Sequence, residues 1–339
     1  MRVVLWGKTA HEQRDRLKAY VTTPWEVISV PDESKPDELS RAVAFIGIGY
    51  DQSLKAWGDS LQLIHGIGAG VDLFDMDALP RGSVLCNVYE HEAPIAEYVL
   101  GAILRWTLRL DEVDRPLRQG VWERSGRLDG EPHGEVEGRT LGLVGYGHIG
   151  RAVAKRAKAF GMRVLAVKGA HPPQRSKDEY AEWIGSPRDL DEMIAASDFL
   201  VVCCPLSDST RGLIGSDRIA RMKRSAYLVN IARAEIVDEA ALFAALERGN
   251  IAGAALDVWY QYPAPGSKEG PVGHYPWESL GNIVMTPHYS AWTYGMIDRR
   301  WRRIAENLDR FSRGEPLLNV VTVKASADSD ATPDSSARP

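Results

Sequence analysis

The stretch Leu141-Gly142-Leu143-Val144-Gly145-Tyr146-Gly147-His148-Ile149-Gly150 places three glycines in the spacing GxGxxG directly after an apolar run. The apolar run predicts a strand. The residues that follow predict a helix, because Ile149, Val153, Ala157 and Phe160 fall on one helical face. A strand that enters a helix through this spacing is typical of a dinucleotide-binding βαβ unit.

Each glycine of this loop has its own predicted structural role. Gly145 allows the tight turn, Gly147 lets the backbone approach a pyrophosphate, and Gly150 lets the helix pack closely on the strand. The helix N-terminus then faces the phosphates. Gly161 ends the helix, and a second strand at Arg163–Val167 closes the unit. The predicted cofactor contacts of this loop are Gly145, Tyr146, Gly147, His148, Ile149 and Gly150.

The end of the second strand bears on the choice between NAD and NADP. An NAD site usually carries Asp or Glu there, to bind the ribose 2′-hydroxyl. This strand is followed by Lys168 and Arg175 with no acid between them. Two cations predict a slight preference for NADP, through the 2′-phosphate, over NAD. Alternatively, the two side chains are solvated surface cations.

A second glycine-rich loop, Gly66–Gly70, is followed by Asp72, Asp75 and Asp77. Three carboxylates would repel a diphosphate, so this loop is rejected as a nucleotide site. Its backbone N–H groups can still bind one small carboxylate. Gly68, Ala69 and Gly70 are therefore predicted substrate-binding residues.

Short apolar runs alternate with amphipathic helical patterns along the chain, which predicts βαβ units and an α/β fold. The predicted helices include 94–110 and 294–313, and the polar, Gly-rich segment 111–137 is predicted to be an irregular connection. Residues 326–339 are predicted to be a disordered tail. The predicted strands are 3–6, 26–30, 42–48, 61–67, 84–88, 141–145, 163–167, 199–204, 226–230, 252–258 and 283–286.

Composition excludes several classes of function. The net charge of −5 over 339 residues argues against nucleic acid as a partner. No run is long enough to span a membrane or to serve as a secretory signal. The three cysteines, Cys86, Cys203 and Cys204, show no metal-ligand spacing and are expected to be reduced thiols in a cytoplasmic protein.

Seven ordered segments resemble the D-isomer-specific 2-hydroxyacid dehydrogenases over roughly residues 40–320. The resemblance implies two α/β lobes, Rossmann-like and flavodoxin-like, with parallel sheets and a cleft between them. The segments are Gly66–Asp72, Pro94–Tyr98, Gly138–Leu141 running into the glycine loop, Cys204–Leu206 with Thr210 and Gly212–Ile214, Asn230–Ala234, Ala255–Val258 and Thr286–His288.

The resemblance also implies a domain division and an assembly. Residues 1–99 and 288–325 would form the substrate domain, and residues 100–287 would form the dinucleotide-binding domain. The chain would form a homodimer through the long helix near 94–110 and the arm after it. Further cofactor contacts implied by the resemblance are Cys204, Pro205, Thr210, Ile231, Ala232 and Asp257.

Two residues are candidates for the chemistry of 2-oxo acid reduction. Arg233 follows a strand end, and a guanidinium can bind a carboxylate and a carbonyl oxygen together. His288 also follows a strand, and an imidazole can donate or accept the proton near neutral pH. The predicted reaction is hydride transfer between NAD(P)H and a small 2-oxo acid of the glyoxylate or hydroxypyruvate kind.

The sequence departs from the family after Asp257. Most members carry an acid there that pairs with the catalytic histidine, and formate dehydrogenases carry Gln. Here Tyr262 falls at that position, which makes it a candidate catalytic residue, and Glu269 or Glu278 folding back is the alternative. Without a carboxylate partner, His288 should have a lower pKa, and reduction should fall earlier as pH rises.

Three further residues are candidates for binding the far end of the substrate. His91 or Tyr89 precedes the long helix, and Trp292 lies shortly after His288. A formate- or phosphite-type dehydrogenase is one alternative function, because Trp259 and Pro263-Ala264-Pro265 resemble formate dehydrogenases. A dinucleotide-sensing binding protein is another.

Overall fold

The computed structural model describes residues 1–31, 35–169, 174–264 and 266–324. The strands are β1 (Arg2–Trp6), β2 (Glu26–Val30), β3 (Ala44–Gly47), β4 (Leu63–Gly66), β5 (Val84–Cys86), β6 (Thr140–Val144), β7 (Arg163–Val167), β8 (Trp183–Gly185), β9 (Phe199–Val202), β10 (Tyr227–Asn230), β11 (Gly253–Leu256), β12 (Ile283–Met285) and β13 (Val320–Val323). The helices are α1 (Lys8–His11), α2 (Arg14–Tyr20), α3 (Gln52–Lys55), α4 (Glu92–Thr107), α5 (Leu110–Leu117), α6 (His148–Ala159), α7 (Leu190–Ala196), α8 (Ser216–Ile219), α9 (Glu239–Glu247) and α10 (Tyr294–Arg313).

The chain divides into two compact units. The first contains Met1–Glu90 and the described chain from Thr293 onward, and the second contains His91–Trp292. The boundaries expected at residues 99 and 288 both fall inside the second unit.

The first unit is built on a sheet with the order β13-β5-β4-β3-β1-β2. Its strands pair in parallel, except that β13 runs antiparallel to β5. Helix α10 buries Trp301, Ile304 and Leu308 in the core that also contains Val3 and Leu5. The sheet is therefore held by a helix from the far end of the chain.

A fully buried histidine joins the same helix to β4. The Nδ1 atom of His65 is 2.8 Å from the Gly66 carbonyl oxygen, and its Nε2 is 2.9 Å from the Asn307 amide nitrogen. The Asn307 amide also bonds Leu318 through both its oxygen and its nitrogen, which fixes its orientation. His65 therefore donates through Nδ1, accepts through Nε2 and carries no charge.

We expect the free energy of unfolding to fall as pH decreases from the pKa of His65 in the unfolded chain to its lower pKa in the folded chain. Burial lowers the pKa of His65 to about 4, against about 6.5 in the unfolded chain. The contribution of His65 to the free energy of unfolding is therefore fully present above pH 6.5. It is lost as pH falls from 6.5 to 4, by roughly 3 kcal/mol in total. Urea unfolding across this range measures the loss. His65→Gln should flatten the dependence, whereas the exposed control His11→Gln should not; the same slope in wild type and His65→Gln would contradict this prediction.

The second unit is built on a parallel sheet with the order β12-β11-β10-β9-β6-β7-β8. Both faces of the sheet are covered. Leu143 lies in the core formed with α4 and α6, and its neighbour Val144 lies in the core on the opposite face, formed with α7 and α9. Burial on both faces explains why these strands are continuous apolar runs.

The α/β fold class is confirmed, and so are the bounds of β2, β7 and α10. The structure departs from the predictions at three places. Helix α5 lies in the segment predicted to be irregular, strands β8 and β13 were not predicted, and Phe160, grouped with the apolar face of α6, lies just beyond the end of that helix and is 45% exposed. The tail predicted at 326–339 lies outside the described residues. No helix in the described ranges is long and apolar enough to cross a membrane.

Candidate active site

The predicted functional segments of the second unit follow the carboxyl ends of its parallel strands. Strands β7 and β9 lie on opposite sides of β6, so the strand order reverses beside β6. Open α/β sheets bind ligands at the carboxyl ends around such a point. The segments that begin there are Gly145–Gly150 after β6, Cys203–Leu206 after β9, Ile231–Arg233 after β10, Asp257–Tyr262 after β11 and Thr286–His288 after β12.

The glycine loop has the geometry of a phosphate cradle. Gly145 has a φ of 110°, and a Cβ there would lie 2.7 Å from the Cys204 backbone nitrogen. A Cβ at Gly150 would lie 2.4 Å from the Gly145 carbonyl oxygen, so α6 packs directly on the loop. A Cβ at Gly147 would meet nothing within 4 Å, which leaves open space at the N-terminus of α6. The loop therefore fits the pyrophosphate of a dinucleotide.

The side chain of Tyr146 points away from this open space. It is 4% exposed, and its hydroxyl donates to both carboxylate oxygens of Asp178, at 2.9 and 3.0 Å. Arg151 also pairs with Asp178, at 3.2 Å. Any cofactor contact of Tyr146 would therefore come from its backbone, whereas His148 is exposed at the start of α6.

The loop after β9 is fixed by its own hydrogen bonds. The Cys203 thiol donates to the Gly145 carbonyl oxygen at 3.1 Å, which ties this loop to the glycine loop. The Thr210 hydroxyl donates to the Pro205 carbonyl oxygen at 2.8 Å and accepts from the Ser207 N–H at 2.7 Å. Burial raises the pKa of Cys204 to about 11, so its thiol is uncharged at neutral pH.

The two cations predicted to bind a 2′-phosphate differ in their surroundings. Arg175 pairs with Asp189 at 2.9 Å and with Glu192 at 3.0 Å, and its guanidinium lies 4.3 Å above the Trp183 ring centre. The Arg175 side chain is therefore already bound by neighbouring residues of the protein. Lys168, in contrast, is exposed directly after β7.

Arg233 is held by a residue that sequence reasoning did not single out. Asn230, at the end of β10, is 1% exposed. Its side chain accepts from the Ala232 N–H at 3.1 Å and donates to the Arg233 carbonyl oxygen at 3.0 Å. These bonds fix the turn on which the half-buried Arg233 side chain is mounted. A polar residue at the end of an apolar strand was the available signal.

His288 has a left-handed backbone with a φ of 56°. The segment on either side of it is bound by Asp257, whose buried carboxylate accepts from the Tyr289 N–H at 2.7 Å and the Ser290 N–H at 2.9 Å. The Thr286 hydroxyl donates to the same carboxylate at 2.5 Å. Asp257 thus supports the His288 segment, and its contact with a cofactor stays a prediction.

Two further side chains form hydrogen bonds with Thr286. Its hydroxyl lies 2.8 Å from the Tyr98 hydroxyl of α4, and its carbonyl oxygen accepts from the indole N–H of Trp259 at 2.8 Å. Since the Thr286 hydrogen points to Asp257, the Tyr98 hydroxyl is the donor of the first bond. The loop that carries His288 is therefore joined to a helix and to the segment after β11.

Tyr262 lies at the imidazole, at the position where most of the family has an acid. Its hydroxyl is 3.1 Å from Nδ1 of His288 and accepts from the Trp259 N–H at 3.3 Å. Among the described residues, neither Glu269 nor Glu278 has a contact with His288. The alternative that one of these acids folds back has no support in the structure.

The electrostatics of the site lower the pKa of His288 below its ordinary value. Burial by the surrounding chain is the largest cause; the Arg233 charge lowers the pKa further and the Asp257 charge raises it. Burial raises the pKa of Tyr262, so its hydroxyl stays protonated. Arg233, Asp257 and Tyr262 are thus close enough to His288 to form one site.

The remaining predicted site residues are divided between the two units. Gly68, Ala69 and Gly70 belong to the first unit, where the Val88 N–H and the Asn87 amide donate to the carbonyl oxygens of Gly68 and Ala69 at 3.1 and 2.8 Å. In the second unit, His91 is 8% exposed before α4, whereas Trp292 is 55% exposed.

Comparison with known proteins identifies the family. The model of the D-isomer specific 2-hydroxyacid dehydrogenase NAD binding domain matches residues 100–290. The chain belongs to this dehydrogenase family. A glyoxylate reductase of Thermococcus kodakarensis is 36% identical over 305 residues, which cover 86% of this chain and 86% of that protein.

Two further relatives extend the comparison. A D-3-phosphoglycerate dehydrogenase of Archaeoglobus fulgidus is 37% identical over 280 residues, 80% of this chain and 49% of that protein. A solved D-isomer specific 2-hydroxyacid dehydrogenase family protein of Aeromonas salmonicida aligns with a TM-score of 0.79 at 26% identity, covering 95% of this chain and 98% of that one.

The dehydrogenase is an NAD(P)-dependent oxidoreductase that transfers a hydride between a nicotinamide cofactor and a 2-oxo or 2-hydroxy acid. This activity fits the comparisons better than formate or phosphite oxidation or dinucleotide sensing does.

Proposed function

We propose that this dehydrogenase reduces a small 2-oxo acid of the glyoxylate or hydroxypyruvate kind, with Arg233 binding the acid and His288 supplying the proton. The observation that carries the proposal is the grouping of Arg233 and Tyr262 around His288, at the same edge of the sheet as the glycine loop. Relatives named glyoxylate reductase support the substrate class.

Arg233 would bind the substrate carboxylate and polarise its carbonyl group. A planar guanidinium stays charged at all relevant pH values and offers paired N–H donors. Its turn is fixed by Asn230, so the donors are oriented before substrate binds. Preorganised donors stabilise the negative charge that develops on the carbonyl oxygen during reduction.

His288 would donate a proton to that oxygen through Nε2, because Nδ1 faces Tyr262. A bound nicotinamide supplies the hydride. In the oxidative direction, the neutral imidazole would accept the proton from the hydroxyl group of the substrate. The backbone N–H groups of Gly68, Ala69 and Gly70 stay predicted substrate contacts.

Lys168 carries the proposed preference for NADPH. One charge-assisted hydrogen bond to the 2′-phosphate contributes roughly 1.5–3 kcal/mol, which corresponds to about a tenfold or larger preference. Arg175 contributes less than its charge suggests, because Asp189 and Glu192 already bind it. The ratio of kcat/KM for NADPH and NADH tests this part: Lys168→Ala should remove the preference, and an equal ratio in wild type would overturn it.

We also propose a cytoplasmic homodimer. Large apolar side chains are exposed along α5 and the residues after it, including Leu117 at 50%, Trp122 at 60% and Leu128 at 65%. Burying them against a second copy would remove this apolar area from water. Light scattering measures the mass in solution. The cysteines Cys86, Cys203 and Cys204 are free thiols, which suits a reducing compartment.

The deciding experiment measures oxidation of NADPH and NADH with glyoxylate, hydroxypyruvate, pyruvate and a bulky aromatic 2-oxo acid. We expect turnover with the two small polar acids and little with the aromatic acid. Tight binding of the dinucleotide with no turnover on any of the four acids would overturn the proposed substrate class.

The pH profile offers a test of Tyr262. Reduction needs protonated His288, so wild-type kcat/KM should decline as pH rises through a pKa below the ordinary histidine value. Tyr262→Glu places a carboxylate beside Nδ1, which favours the imidazolium and should move the decline upward by about one pH unit or more. Tyr262→Gln is the uncharged control and should leave the decline near its wild-type position. Identical profiles for the Glu and Gln variants would contradict the prediction.

A further inference from the structure

A second histidine, His274, contacts the residue next to Tyr262 in the chain. Nδ1 of His274 is 2.7 Å from one carboxylate oxygen of Glu239, and the His274 backbone N–H donates to the other oxygen at 2.6 Å. Nε2 of the same ring is 3.0 Å from the side-chain nitrogen of Gln261. Gln261 directly precedes Tyr262.

These contacts define one protonation pattern. The Glu239 carboxylate only accepts, so Nδ1 of neutral His274 carries the hydrogen, and Nε2 accepts from the Gln261 amide. The indole N–H of Trp277 also donates to Glu239, at 3.3 Å. Side-chain exposure is 13% for Glu239, against 65% for His274, so the carboxylate is the anchor of the group.

The backbone around Gln261 depends on the same anchor. The N–H groups of Tyr260 and Gln261 donate to the Val272 carbonyl oxygen at 3.1 and 3.2 Å. The Tyr260 ring stacks on Trp277, with ring centres 6.0 Å apart. Glu239 thus fixes the segment that contains His274 and Trp277, and His274 fixes Gln261 to that segment.

Tyr262 needs such support because the residue is 53% exposed. Its hydroxyl must stay between the Trp259 N–H and Nδ1 of His288 to orient the imidazole. We propose that His274 and Glu239 are positioning residues for reduction, which act on His288 by holding Gln261 and thereby Tyr262. This inference rests on the proposed role of His288.

A double-mutant cycle tests the proposal. Tyr262→Phe removes the hydroxyl and should lower kcat/KM for reduction about tenfold, through loss of one hydrogen bond to the catalytic ring. His274→Ala should lower it by about threefold to tenfold. If His274 acts through Tyr262, the double variant should be no slower than Tyr262→Phe alone. Multiplied losses in the double variant would overturn the proposal.

Three further variants separate positioning from general destabilisation. His274→Gln keeps an amide that can bond Glu239 or Gln261 and should recover most of the activity. Gly273→Ala should mimic His274→Ala, because a Cβ there would lie 2.2 Å from a Glu239 carboxylate oxygen. His11→Gln, an exposed histidine bonded to Ser29 in the first unit, is the matched control and should leave kcat/KM unchanged.

Nuclear magnetic resonance of the histidine rings distinguishes failure of this inference from failure of the proposed function. Tyr262→Phe and His274→Ala should shift the His288 ring signals in the same direction, whether or not turnover is observed. An effect of Tyr262→Phe on these signals without an effect of His274→Ala would overturn the positioning role and leave the role of Tyr262 intact.

Discussion

Arg233→Ala should lower kcat/KM for 2-oxo acid reduction by about 10²- to 10⁴-fold and leave the dissociation constant of the dinucleotide nearly unchanged. The magnitude follows from two charge-assisted hydrogen bonds, to the carboxylate and to the carbonyl oxygen, each contributing roughly 1.5–3 kcal/mol. Both terms depend on the turn that Asn230 fixes. Steady-state kinetics with glyoxylate, and a dinucleotide titration by fluorescence, measure the two quantities.

Arg233→Lys is the matched control for charge. A lysine restores one positive charge but cannot make two parallel bonds, so it should recover only part of the loss. Asn230→Ala should lower kcat/KM less than Arg233→Ala, because the guanidinium remains and only its turn is released. Full activity in Arg233→Lys would show that charge alone suffices and would contradict the bidentate role.

The fold was predictable where burial imposes a pattern. Strands β6 and β9 are covered on both faces and therefore appear as apolar runs. Strand β8 has only three residues and gives too short a signal. Strand β13 is an edge strand that exposes Val320 and Val323. Its sequence therefore does not show the apolar pattern of a buried strand.

Helix α5 escaped prediction for a related reason. It buries no residue, contains Pro116 near its end and lies in a mostly charged segment, so the helical spacing of Leu110, Val113 and Leu117 did not outweigh the polar composition. Its stability depends on local pairs such as Asp114 with Arg118, 2.7 Å apart at a spacing of four residues. A helix that buries no residue becomes evident once its three-dimensional contacts are known.

The candidate site also contains residues that the sequence predicted and residues that it did not. Residues at strand ends, Arg233 and His288, were predictable because parallel strands bring their carboxyl ends to one edge. The partner of His288 was predicted by position alone, and the structure places the hydroxyl of Tyr262 at Nδ1. Glu239 and His274 are 35 residues apart, and no sequence pattern links them.

His288→Asn should reduce kcat/KM for reduction by about 10²- to 10⁴-fold, the usual contribution of a positioned general acid. Asn is the better variant than Ala because residue 288 has a φ of 56°, a left-handed conformation that Asn tolerates. The Asp257 bonds to the Tyr289 and Ser290 N–H groups use backbone donors, so the loop should keep its shape. Activity loss can then be assigned to the missing imidazole.

The pH profile supplies the stricter test of His288. In wild type, reduction should decline as pH rises, because the lowered pKa means that His288 loses its proton at a lower pH than an ordinary histidine. Oxidation of the 2-hydroxy acid should instead rise through the same pKa and then level off, since it needs the neutral ring. His288→Asn should lose both pH dependences together. If the variant keeps the declining reduction profile, another group titrates, and the proton then reaches the carbonyl oxygen from a residue other than His288.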